Sequence, residues 1–203
     1  FSLAEAYRAK RPLAFKRGGK SLFIGAGGPM GQMHVQWACE SRLGPNLIVV
    51  TDLDAQRLKK IETRLSHVAE ARGARLVTVN PKDLTTEQLG QTLRRECGSG
   101  LFDDVAILAP VPTAIELGAD WLGRGGVLNI FAGVPKGTRV PLNLSGCFMQ
   151  GQQWVGSSGA PLEVVRRTLE LVEKGELSPN QSVAAIAGLG AALEGLKAVK
   201  AGT

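Results

Sequence analysis

Four glycines and one aspartate are the residues whose type and spacing point most directly to chemistry. Gly25, Gly27, Gly28 and Gly31 crowd into "GAGGPMG", between a short apolar run and the start of a helical pattern. A turn from strand to helix leaves backbone N–H groups unpaired at the helix N-terminus, and these donors together with the helix dipole favour a phosphate. Glycine lets the backbone come close to such a group because no Cβ stands between. The turn therefore reads as a cradle for a pyrophosphate. Gly25, Gly27 and Gly31 give G-x-G-x-x-x-G, one residue longer than the usual dinucleotide fingerprint. Ala26, Gly28 and Gly31 give the alternative A-x-G-x-x-G. A purely structural tight turn would use the same residues.

Asp52 strengthens the ligand reading. It ends the next apolar run, "LIVVTD", 21 residues beyond Gly31. A carboxylate at that distance can accept hydrogen bonds from adenosine ribose hydroxyls, and it repels a 2′-phosphate, so NAD is expected over NADP. Arg57 nearby partly offsets that preference. Asp52 could instead cap the following helix, but Asp54 is better placed to do so. No catalytic acid, base or metal ligand stands out. His34 and His67 are single and fall in helical patterns, where a structural role is expected. No C-x₂-C pair suggests a structural zinc.

The elements that would position these residues alternate. Strands are expected at 21–26, 47–52, 74–79, 104–109, 125–133 and 153–158. Helices are expected at 31–43, 55–72, 85–97, 113–122 and 161–175. In the second helix Leu58, Ile61, Leu65 and Val68 recur at helical spacing. The strands are continuously apolar, as they must be when helices cover both faces of a parallel sheet. The fold class is thus α/β, a doubly wound parallel six-stranded sheet of Rossmann type with strand order 3-2-1-4-5-6. Residues 134–150 read as a loop. Residues 1–20 form a basic linker helix and turn, 21–160 the nucleotide-binding domain, and 161–203 a C-terminal helix and trailing segment.

The totals narrow the function class. The 203 residues, 44% of them hydrophobic, suit one sizeable domain. No apolar run is long enough to span a membrane, and no signal-peptide order opens the chain. Most of the net charge of +6 lies in residues 1–20, where six cations face Glu5 alone. No aromatics interleave with them as a nucleic-acid stacking surface would require, so a solvated helix is expected there. Cys39, Cys97 and Cys147 are odd in number and far apart, which reads as reduced thiols in the cytoplasm. The chain does not open on Met, consistent with a piece of a longer protein.

The segments "LFIGAGGPMGQMHVQWA", "LIVVTDLDAQRL", "DDVAILAPVPTAIELGADWLGRGGVLNIFAGVP" and "WVGSSG" resemble the nucleotide-binding half of zinc-type medium-chain alcohol dehydrogenases. The likeness leans toward the sugar and polyol branch that includes sorbose-1-phosphate reductase. It implies pyrophosphate contacts at Gly28, Pro29 and Met30. It implies a ribose contact at Asp52 with Arg57 beside it, and an adenosine-side loop at Ala109, Pro110 and Val111. Backbone at Gly133, Val134, Ser157 and Ser158 would meet the nicotinamide end. The family's catalytic zinc takes its ligands from a separate lobe and from a position matching Ser2 or Leu3, neither a convincing ligand. The family also implies a small alcohol or sugar substrate and a homodimer or homotetramer paired near residues 138–156. The last twenty or so residues resemble the segment that returns to the catalytic lobe, without its final strand.

The expected function is accordingly the NAD(H)-binding part of an alcohol or polyol oxidoreductase, inactive by itself. A free-standing NAD(H) sensor is the alternative. A methyltransferase is disfavoured because Pro29 stands where its tighter turn would want glycine.

Overall fold

The computed structural model describes residues 15–156, 159–183 and 185–201. The chain runs β1 (Lys20–Ile24), α1 (Pro29–Glu40), β2 (Leu47–Thr51), α2 (Ala55–Ala71), β3 (Arg75–Val79), α3 (Thr86–Cys97), β4 (Phe102–Ile107) and α4 (Pro112–Asp120). It continues with β5 (Leu122–Ile130), α5 (Ser145–Gln150), β6 (Gln153–Val155), α6 (Leu162–Glu173) and α7 (Ala192–Ala201). The six strands are all parallel, in the order β3-β2-β1-β4-β5-β6. That is the expected doubly wound order.

Alternate strand residues feed two cores on opposite faces of the sheet. Leu22, Ile24, Val49, Val105 and Ile107 pack with Leu89 and Leu93 of α3 and Ile115 of α4. Phe23, Ile48, Val50 and Ala106 pack with Val35 and Ala38 of α1 and Leu58, Ile61 and Leu65 of α2. Full burial of side chains of this size contributes about 1.5–3 kcal/mol each, so the alternation fixes the register. Trp121 belongs to the first core, with the Arg94 guanidinium 5.8 Å from its ring centroid.

The helix ends are chemically specified. Thr85 caps α3 through a reciprocal box with Gln88, and Gly98 ends it at φ 66°. Asp54 caps α2 by accepting the Gln56 and Arg57 N–H groups at 2.8 and 3.1 Å. Arg72 donates to the carbonyls of Ala38, Cys39 and Pro45, tying the α2 exit to the end of α1.

Several boundaries differ from the sequence expectation. Strands β1, β4 and β5 begin and end earlier, because the glycine- and proline-bearing residues after each turn out of the ladder. Residues 145–150 form the short helix α5 within the expected loop, closed by Gly151 in the left-handed region. Strand β6 has three residues. The basic lead lies outside the described residues up to position 14. No helix among the described residues is long and apolar enough to cross a membrane.

Candidate functional site

The strand ends lie in register at the carboxyl edge of the sheet. Ile24 pairs with Thr51 and with Ile107, and Ile107 pairs with Ile130. The backbone then crosses between strands. Gly25 and Ala26 donate to the Thr51 carbonyl at 2.9 and 3.0 Å, Leu108 donates to Ile24, and Phe131 and Ala132 donate to Ile107. The turns after β1, β2, β4 and β5 are thereby gathered along one edge. The strand order reverses between β1 and β4, which is where a doubly wound sheet opens a crevice.

The glycines divide the work of the turn. Gly25 has φ +75°, and a Cβ there would stand 2.5 Å from the Ala109 Cβ. A Cβ on Gly31 would collide with the Ala26 backbone, so only glycine lets α1 start this close to β1. A Cβ on Gly27 would stand 2.6 Å from the Asp52 carboxylate. Gly28 differs: among the described residues, nothing lies within 4 Å of its missing Cβ. The extra residue in the spacing is thus accounted for. Gly25 and Gly31 serve as the outer glycines, and two residues, Gly27 and Gly28, share the middle.

Helix α1 opens toward this edge without a side-chain cap. Gly28 is the N-cap and Pro29 begins the first turn, so the N–H groups of Met30 and Gly31 have no partner within the helix. Gln32 Nε2 donates to the Gly27 carbonyl at 2.8 Å, and Arg64 Nη1 lies 3.5 Å from Gln32 Oε1. These side chains brace the turn from α1 and α2.

Asp52 is half-buried, one residue past β2. Its Oδ2 accepts the Gly27 N–H at 2.7 Å and its Oδ1 accepts the Asp54 N–H at 2.9 Å. Each oxygen retains further acceptor capacity. Arg57 Nε lies 3.4 Å from the Asp54 carboxylate.

Across the crevice, Ala109, Pro110 and Val111 follow β4 in a tight turn, with the Val111 N–H on the Ala109 carbonyl at 2.9 Å. Val111 is the N-cap of α4, which also lacks a side-chain cap. Further along, Gly133 and Val134 are exposed, and no described atom lies within 4 Å of a Gly133 Cβ. Ser157 and Ser158 lie outside the described residues.

Sequence reasoning missed Gln32 and assigned His34 only a structural place. His34 Nδ1 is 2.7 Å from the Met30 carbonyl oxygen, and its ring meets Phe131 edge-on with centroids 4.4 Å apart. Burial pushes its pKa from 6.5 down to about 4, against the bond to Met30. The signal was its spacing: position 34 lies one helical turn beyond Met30. His67 is exposed on α2. No cluster of three His, Cys, Asp or Glu among the described residues could hold a metal ion. A cavity of about 540 Å³ lies on the sheet face beneath α1 and α6, lined by Phe23, Trp37, Asn129 and Val172 among others, and it reaches Met30 and His34 at the start of α1.

The chain is 20% identical to the alcohol dehydrogenase TADH from Thermus sp. ATN1, with a TM-score of 0.72 over 92% of this chain and 49% of that one. This chain has the fold of about half of an alcohol dehydrogenase. A short chain alcohol dehydrogenase from Escherichia coli CFT073, solved with NADH, superposes with a TM-score of 0.71 at 14% identity, over 98% of this chain and 52% of that one. In sequence, the chain is 32% identical over 190 residues to the uncharacterized protein YggP of Escherichia coli K12, covering 93% of this chain and 44% of that protein. Mannitol-1-phosphate 5-dehydrogenase of Aliivibrio fischeri is 31% identical over 89% of this chain and 43% of its own length. L-sorbose 1-phosphate reductase of Klebsiella pneumoniae is 29% identical over 87% and 42%. The chain therefore spans less than half the length of these curated relatives. No protein-family model matches it.

Proposed function

We propose that the carboxyl edge of this sheet binds NAD(H), and that the chain is the cofactor-holding half of an oxidoreductase acting on a sugar alcohol, a sugar phosphate or a simple alcohol. The observation that carries the reading is the Asp52 carboxylate bonded to the Gly27 amide beside an uncapped helix start. A ribose acceptor and a pyrophosphate cradle are thus held together. Open space over Gly28, where a Cβ would fill the approach, fits a bound diphosphate.

In this proposal the amides of Met30 and Gly31, with Gly28 and Pro29 shaping the approach, face the pyrophosphate. Asp52 accepts the ribose hydroxyls, and its charge disfavours a 2′-phosphate. Arg57, drawn toward Asp54, offsets that charge only in part. Ala109, Pro110 and Val111 line the adenosine side, and Gly133 and Val134 the nicotinamide end. Ser157 and Ser158 remain in the proposal on the family resemblance alone. The bound dinucleotide supplies hydride transfer, and this chain's residues orient it and exclude water.

Catalytic zinc, on this reading, belongs to the other half of such an enzyme. The names of the relatives, a dehydrogenase and a reductase of hexitol and hexose phosphates, support the enzyme over a sensor. We place the protein in the cytoplasm, reading its free cysteines as reduced thiols. It acts as a homodimer or homotetramer. Titration with NADH and NADPH, read by nicotinamide fluorescence, tests the cofactor reading. Tighter binding of NADH supports it, and equal or tighter binding of NADPH contradicts it.

A further inference from the structure

We infer that His34 is a positioning residue that sets the span between the two ends of the dinucleotide site by docking the start of α1 onto Phe131. The inference rests on the reading of this edge as an NAD(H) site.

The chemistry of the contact is specific. A carbonyl oxygen only accepts, so the 2.7 Å contact to Met30 fixes the proton on His34 Nδ1. In the neutral ring Nε2 is then a bare acceptor. That atom is buried and has no hydrogen-bond partner among the described residues. Leaving a buried polar atom unpaired is unfavourable, and a leucine would fill the same space without it. Imidazole adds what leucine lacks: a donor to Met30 and an aromatic edge for Phe131 on one rigid ring.

The two partners belong to different elements, one leading from the glycine turn and the other toward Gly133 and Val134. Met30 belongs to the first turn of α1, beside the glycine turn. Phe131 follows β5 directly, and its N–H is tied to the Ile107 carbonyl at 3.1 Å, so its backbone moves with the sheet. Gly133 and Val134 come next in the chain. The spacing between the phosphate end and the nicotinamide end therefore runs through the His34 ring, whose centroid is 4.4 Å from that of Phe131 at an interplanar angle of 67°. Small displacements of a bound reactant are enough to cost large factors in rate.

The test compares NADH with ADP-ribose, which lacks the nicotinamide and reports the adenosine and pyrophosphate end alone. Both are titrated against the 203-residue chain and its His34→Leu variant. NADH affinity is expected to fall by about tenfold, the scale of one lost aromatic contact, while ADP-ribose affinity stays within about twofold. Equal losses for both ligands, or no loss for NADH, would overturn the inference. If His34→Leu fails to fold by circular dichroism, Phe131→Leu probes the same contact from the β5 side, with the same split expected and the same contrary results. A wild-type chain that binds neither ligand overturns the nucleotide reading itself. A wild type that binds both, with unsplit variants, overturns only the role of His34.

Discussion

The Asp52 carboxylate holds the Gly27 amide at 2.7 Å, across the gap between the ends of β2 and β1. Its second oxygen holds the Asp54 amide at 2.9 Å. One side chain therefore shapes the glycine turn and also stands where a ribose would be read.

This double duty changes what cofactor engineering should find. Removing a carboxylate that repels a 2′-phosphate ordinarily favours NADP. Here Asp52→Ala also releases the turn. NADH binding should weaken by about 1–3 kcal/mol, the scale of charge-assisted hydrogen bonds. NADPH should gain no compensating affinity. Titration of the variant with both cofactors checks this, and NADPH binding as tight as wild-type NADH binding would show the turn does not depend on Asp52.

The glycines should separate stability from binding. Gly31→Ala forces a Cβ against the Ala26 backbone and should cost about 1–3 kcal/mol of stability, as overpacking does. Gly28→Ala meets open space and should cost no more than about 1 kcal/mol, the scale of a weakened N-cap, while impairing NADH binding. Urea melts and NADH titrations on both variants make the comparison. Gly28→Ala with unaltered affinity would remove Gly28 from the cradle.

Most of the sheet was legible because the signals were local and redundant. "LIVVT" is apolar at its first four positions and is buried on both faces, so β2 declared itself. Asp54 as a cap followed from its place before the helical pattern. The division of labour among Gly25, Gly27, Gly28 and Gly31 was not legible, because it depends on what each missing Cβ would meet across the turn. Helix α5 was hidden because "SGCFMQ" has weak helix formers and only six residues, and its apolar side chains face outward. His34 was read as structural because its partner Phe131 is distant in sequence and only the fold brings the two together.

Acid should expose the buried imidazole. Burial lowers the folded-state pKa of His34 from 6.5 to about 4. Between those values the unfolded chain binds the extra proton and the folded chain does not. The stability is therefore complete above about pH 6.5 and declines as pH falls toward 4, by at most about 1.4 kcal/mol per pH unit. His34→Leu should flatten urea midpoints over that range. Asp54, held below the usual carboxylate range chiefly by the Arg57 N–H, and Glu96, held below it chiefly by the Arg75 guanidinium, add their own losses only toward the acid end, so the clean part of the window lies between about pH 6.5 and 5. A wild type and variant with parallel pH profiles would count against a buried neutral His34.

Self-association should run through the β6 edge. An edge strand carries unpaired backbone groups, and α5 beside it exposes Leu144, Phe148 and Met149. Leu142 packs against the core instead, so it is unsuitable as a probe. Light scattering should find a dimeric wild type and a monomeric Leu144→Lys, Phe148→Lys variant. A monomeric wild type would end the idea. A persistent dimer would move the contact elsewhere, for instance to the exposed Leu189, Leu193 and Leu196.

We propose NAD(H) along the carboxyl edge, on the glycine turn and Asp52. An amide-resolved NMR titration of the chain with NADH tests it most directly. Shifts are expected at Gly27, Gly28, Met30, Gly31 and Asp52, then at Ala109, Val111, Gly133 and Val134. Residues at the opposite edge, such as Gly44, Arg75 and Gly100, should stay still. Shifts confined to Phe23, Trp37, Asn129 and Val172 in the cavity beneath α1 and α6, or no shifts at saturating NADH, would rule out binding at the carboxyl edge.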